Sequence, residues 1–128
     1  MGTPELQAPK RLHGYITRSA LDEFFHQKYD HRIAEHRAST LHGILLREVT
    51  FGRLDLMVRC ERCYHGLNDP YCGTGSEPRD SSHRGKYDKL MAISVVSLKK
   101  MDVNRFVRRT HGAGAGVKED LDLLLEYL

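Results

Sequence analysis

The hydrophobic positions of this chain change period several times along its length, and each change marks an element. Leu21, Phe24 and Phe25 form an apolar stripe at helical spacing, continued less cleanly by Tyr29 and Ile33. Ser19 serves as its N-cap, with Asp22 three positions on, and the spacing predicts a helix ending near residues 38–41. "ILLREVTF" and "RLDLMVR" then read as strands. In the second, Leu54, Leu56 and Val58 alternate with Arg53, Asp55, Met57 and Arg59, the period of two that leaves one sheet face wet. Gly52 between them places a hairpin turn. "LMAISVVSL" (90–98) is almost wholly apolar and rich in β-branched residues, as in a strand covered on both faces. "DVNRFVRR" reads as a short helix capped by Asp102, with Val103, Phe106 and Val107 opposite Arg105, Arg108 and Arg109. The last segment, "VKEDLDLLLEYL", is again helical, its early acids favoured by the helix dipole.

This order of elements predicts an α+β domain: a small, mainly antiparallel sheet, an N-terminal helix, a long loop and a short C-terminal helical tail. Residues 1–15, which hold two of the four prolines, form a flexible arm. Residues 16–111 make the domain, with a cysteine-rich loop over 58–86. Residues 112–128 comprise the "GAGAG" hinge and the leucine-rich tail. A chain of 128 residues supports one modest core, and 40% hydrophobic with 29% charged residues suits a globular protein. No run of eighteen apolar residues is present, so no membrane helix is expected. "MGTPELQAPKRLHGY" lacks the apolar stretch of a secretory signal, and Leu6 stands where a myristoylation site has Ser or Thr. These features predict an intracellular protein of cytoplasm or nucleus.

The candidate chemistry begins with the cysteines, all three of which lie within "CERCYHGLNDPYC". An odd number in a reducing compartment argues against a disulfide framework. Cys60-x2-Cys63 has the spacing of a zinc knuckle, and Cys72 follows after eight intervening residues, within reach as a third ligand. A structural Zn2+ site needs four ligands; His83 completes the set, with His65 as the other candidate for that place. A bound metal would order a long loop in a small domain. The competing reading takes the cysteines as small buried side chains with no ligand role. The string "RCERCY" resembles the cysteine-rich nucleic-acid-binding proteins of some filamentous plant viruses. That likeness spans six residues, and the arginine run and second cysteine pair of the pattern are absent, so the family is not assigned. "CGTGSEPR" misses the phosphatase loop, since six residues rather than five separate Cys72 from Arg79.

His26, His31 and His36 recur every five residues, a step of about 140° around a helix rather than the i, i+4 spacing of a metal clasp. They read as solvated. The densest basic patch comprises Lys99, Lys100, Arg105, Arg108 and Arg109, suited to phosphate contacts or to a solvated face. Aromatic residues are sparse around it. The net charge of +3 permits nucleic-acid contact without requiring it. In the tail, "LDLLLEYL" resembles the LD motifs of paxillin-type adaptors, which implies docking of Leu121, Leu124, Leu125 and Leu128 in a partner's groove. Such a tail would be removable without unfolding the domain. The expectation is a non-enzymatic, zinc-binding interaction or regulatory protein that meets a protein partner or its own copies through the tail. The alternative is an RNA-binding module of a small regulatory or viral accessory protein. No membrane partner is expected.

Overall fold

The computed structural model describes residues 5–62, 64–66, 91–110 and 116–128. Among them are five helices and a three-stranded antiparallel sheet, an α+β arrangement. Two helices come first, where the sequence suggested one. Thr17, not Ser19, caps α1 (Arg18–His26), its side chain accepting from the Ala20 N–H. The chain then turns, and Asp30 caps α2 (His31–Thr50) by accepting from the Ile33 N–H.

The residues "ILLREVTF" form the C-terminal part of α2 and its cap, and no hairpin follows. Ala34, Ala38, Leu41, Ile44 and Leu45 are buried, a helical stripe in which His42 and Glu48 also face inward. The helix stops at Gly52, whose φ of 71° supplies the left-handed turn. Gly52 N–H donates to the Val49 carbonyl and Arg53 N–H to the Glu48 carbonyl, the paired bonds of a Schellman end.

The sheet is small. β1 (Tyr15–Ile16) and β2 (Val58–Cys60) flank β3 (Met91–Ser94), with Ile16 opposite Ile93 and Cys60 opposite Met91. All four residues of β3 are buried, as its apolar run required. The strand is shorter than expected because Ser94 accepts from the Ser97 N–H and starts α3 (Val95–Lys99). α4 (Val103–Arg109) begins at Asp102, as its sequence indicated, and α5 (Val117–Glu126) follows. One core of Phe24, Phe25, Leu41, Leu45, Ile93, Leu98 and Phe106 joins these elements to Leu121 and Leu124 of α5. Leu6 packs against it, so the segment before β1 is held at that point. Among the described residues, no helix is long and apolar enough to cross a membrane.

Gly116 precedes α5 with a φ of 94°, and a Cβ added there would collide with the Arg37 guanidinium. Gly116→Ala is therefore expected to lower stability by about 1–2 kcal/mol from the left-handed backbone, with a further loss as Arg37 is displaced. Urea midpoints of the two proteins measure this, and equal midpoints would refute it.

Candidate nucleic-acid interface

The zinc site expected in the cysteine loop is not supported. Among the described residues, no group of three His, Cys, Asp or Glu side chains is arranged to hold a metal ion. The reason is visible at Cys60. Its side chain points from β2 into the core with 0% exposure, opposite Met91, where it packs as a small apolar group. The tight turn that follows is closed by its own backbone: Tyr64 N–H donates to the Cys60 carbonyl and Cys60 N–H to the His65 carbonyl, each at 2.8 Å. Cys63, Cys72 and His83 lie outside the described residues.

The leucines of the tail divide between two environments. Leu121 and Leu124 are 0% exposed within the core, and Leu125 and Leu128 are partly buried against it. A polar lock fixes this helix from its first turns. Asp120, buried, accepts from Arg37 at 3.2 Å and from the Tyr29 hydroxyl at 3.0 Å, while the Arg37 guanidinium stacks 4.6 Å from the centre of the Tyr29 ring. A depression of about 600 Å³ lies beside the lock, lined by Arg32, His36, Arg37 and Thr40. The charge of Arg37 there is already matched by Asp120.

His26, His31 and His36 are all exposed, although two of them meet. The break between α1 and α2 brings His26 Nε2 within 2.8 Å of His31 Nδ1, and Glu35 lies 3.7 Å from His31 Nε2.

The basic patch has a different setting. A depression of about 630 Å³ opens between the end of α2 and the α3–α4 region, lined by Lys100, Arg105 and Arg109 of the expected set. Lys99 and Arg108 are exposed but lie outside this lining. Arg105 and Arg108 project outward because Val103, Phe106 and Val107 hold the opposite side of α4 on the core. Lys99, Lys100, Arg105 and Arg108 form no ion pair among the described residues. Two acids, Asp55 and Asp102, also line the depression, and Asp102 is occupied in accepting from the Arg105 N–H.

Arg53 and Met57 also line this depression, and Phe51 is joined to it through Arg53; the strand pattern of "ILLREVTF" and "RLDLMVR" gives none of the three a functional role. A helix end at Gly52 places Phe51 and Arg53 together at the exposed end of α2. Glu48, buried in the last turns of α2, binds Arg53 through two oxygens at 2.7 and 3.1 Å. Those bonds hold the Glu48 carboxyl below the ordinary carboxylate range, against the desolvation of burial, and the nearby charges of Arg53, Arg47 and Arg109 act the same way. Arg53 in turn lies 4.9 Å from the centre of the Phe51 ring, and Arg109 Nη1 donates to the Arg53 carbonyl. Phe51 is 65% exposed and Met57 58%.

Comparison with family models, curated proteins and solved structures gives no match for this chain.

Proposed function

We propose that this domain binds nucleic acid, with the surface around Lys100 and Arg105 contacting the phosphate backbone. The observation that carries this reading is the group of exposed Lys99, Lys100, Arg105 and Arg108, without acidic partners among the described residues, beside a depression also lined by Arg53 and Arg109. Exposed cations without an acidic partner are available to displace the counterions of a polyanion. The depression is open, and the cations on its lining suit a phosphate backbone.

Two of the six cations already serve the fold. Arg53 is held by Glu48, and Arg109 is bonded to the Arg53 carbonyl. The informative variant therefore neutralises three of the other four: Lys100→Gln, Arg105→Gln and Arg108→Gln together. It is expected to weaken binding to all sequences alike and to flatten the slope of log K against log salt by about two to three units. Fluorescence anisotropy with a labelled oligonucleotide across a salt series makes the measurement. No detectable binding at low salt, or an unchanged slope in the variant, overturns the reading.

A further inference from the structure

Resting on the nucleic-acid reading above, we propose that this surface selects single strands, with the Phe51 ring as the platform on which one unpaired base stacks. Phe51 occupies the C-cap of α2, and its N–H donates to the Arg47 carbonyl at 3.0 Å. Gly52 fixes the chain immediately after it through the Schellman bonds. The ring is thus carried by a rigid backbone, yet 65% of the residue is open to solvent. A helix end needs no aromatic residue at that position, since the cap is made wholly by backbone groups and Gly52.

Its neighbour gives the ring a chemical context. The Arg53 guanidinium sits 4.9 Å from the ring centre and is immobilised by both oxygens of Glu48. Glu48 balances the charge of Arg53, so the guanidinium is a fixed neighbour of the ring, and the positive charge for a phosphate comes from Lys100 and Arg105. A stacking face and positive charge are the two elements that single-strand binders use. Lys100 and Arg105 line the same depression as Arg53, and the exposed Met57 adds apolar surface to that lining. The acids offset part of this charge: Glu48 balances Arg53, and Asp55 and Asp102 line the depression beside Lys100, Arg105 and Arg109, where the cations outnumber them.

The same features disfavour a duplex. A paired base has both faces covered by its neighbours, so Phe51 could reach one only by unstacking a step. α4, the helix nearest the cations, has seven residues, about 10 Å of length. Its Phe106 side is committed to the core, and it is short for insertion along a major groove. One ring reads one base, which predicts tolerance of sequence and sensitivity to strandedness.

The test uses the full chain with a labelled oligouridylate of about twelve nucleotides and an RNA duplex of about the same length. The single strand is expected to bind at least about tenfold more tightly. Phe51→Ala should weaken single-strand binding by about 5- to 100-fold, leaving the salt slope and the duplex affinity unchanged. The chain contains no tryptophan, so Phe51→Trp places a unique fluorophore at the platform. It should bind the single strand at least as well as the native protein, and its emission should be quenched by the single strand and not by the duplex. If both probes bind and the basic triple variant weakens them, while Phe51→Ala binds as the native protein does, the platform is refuted and the backbone reading survives. If neither probe binds at low salt, both fall.

Discussion

Removal of residues 117–128 is expected to unfold the domain rather than to release it from a partner. Leu121 and Leu124 are 0% exposed and Val117 7%, all within the single core. Replacing a buried leucine by alanine costs about 2–5 kcal/mol, and deletion removes both fully buried leucines of this segment together with the helix that carries them. Against a typical stability of about 5–15 kcal/mol, that loss is decisive. The polar lock adds to it, because deletion of Asp120 takes the carboxylate from both Arg37 and the Tyr29 hydroxyl. Leu121→Ala and Leu124→Ala give the graded form of the test, each lowering the urea midpoint by an amount corresponding to about 2–5 kcal/mol. The truncated chain should lose its near-ultraviolet dichroism and its cooperative transition. A truncated protein that melts cooperatively at the native midpoint would show that α5 is an appendage, as the leucine motif suggested.

Elements whose signals were local and unopposed could be read from the chain. Asp102 stands immediately before an amphipathic "VNRFVRR", and α4 begins there. The acids and leucines after Gly116 form α5. The largely apolar "MAIS" is the central strand, buried throughout. The errors arose where polar residues sit inside. His42 and Glu48 are buried on the inner side of α2, so the apolar stripe of that helix is interrupted, and "ILLREVTF" looked more like a strand than like two helical turns. Asp30, which caps α2, follows a run that appeared continuous with α1. The zinc expectation failed on a three-dimensional fact that spacing does not encode: the parity of β2 turns Cys60 toward Met91 and the core. The tail could be recognised as a helix but not as a core helix, since a leucine stripe meant for a partner and one meant for its own domain have the same period. The lock that decides between them joins Tyr29, Arg37 and Asp120 across 91 and 83 residues of chain. For the candidate interface, the cations of α4 were legible, whereas Phe51 and Arg53 became part of the surface only once α2 was seen to end between them.

Lowering the pH from 7 to 4 is expected to cost this fold about 3 kcal/mol through His42 alone. The side chain lies in the middle of α2 with 5% exposure, and its Nε2 accepts the Met91 N–H at 3.1 Å. That acceptor role fixes the neutral tautomer with its proton on Nδ1, and a second proton would have to take the Nε2 lone pair that anchors β3 to α2. Burial, assisted by the positive charge of Arg18, pushes the His42 imidazole down to about 4 from an ordinary value of 6.5. Between those values the unfolded chain binds a proton that the native protein excludes, so stability falls as pH falls. The contribution of neutral His42 is fully present above about pH 6.5 and lost once the pH has passed through about 4. A difference of roughly two and a half pKa units corresponds to about 3 kcal/mol. The depressed carboxyl of Glu48 acts in a lower window, because its contribution is lost only as the pH falls through a value below the ordinary carboxylate range. Urea titrations at intervals from pH 7 to about pH 2, on the native protein and on His42→Gln, separate the two. Glutamine keeps an acceptor for the Met91 N–H but does not titrate, so the variant should lose the decline between pH 6.5 and 4.5 while retaining the steeper loss below it. A variant whose stability declines across the upper window as steeply as the native protein would place the acid sensitivity elsewhere.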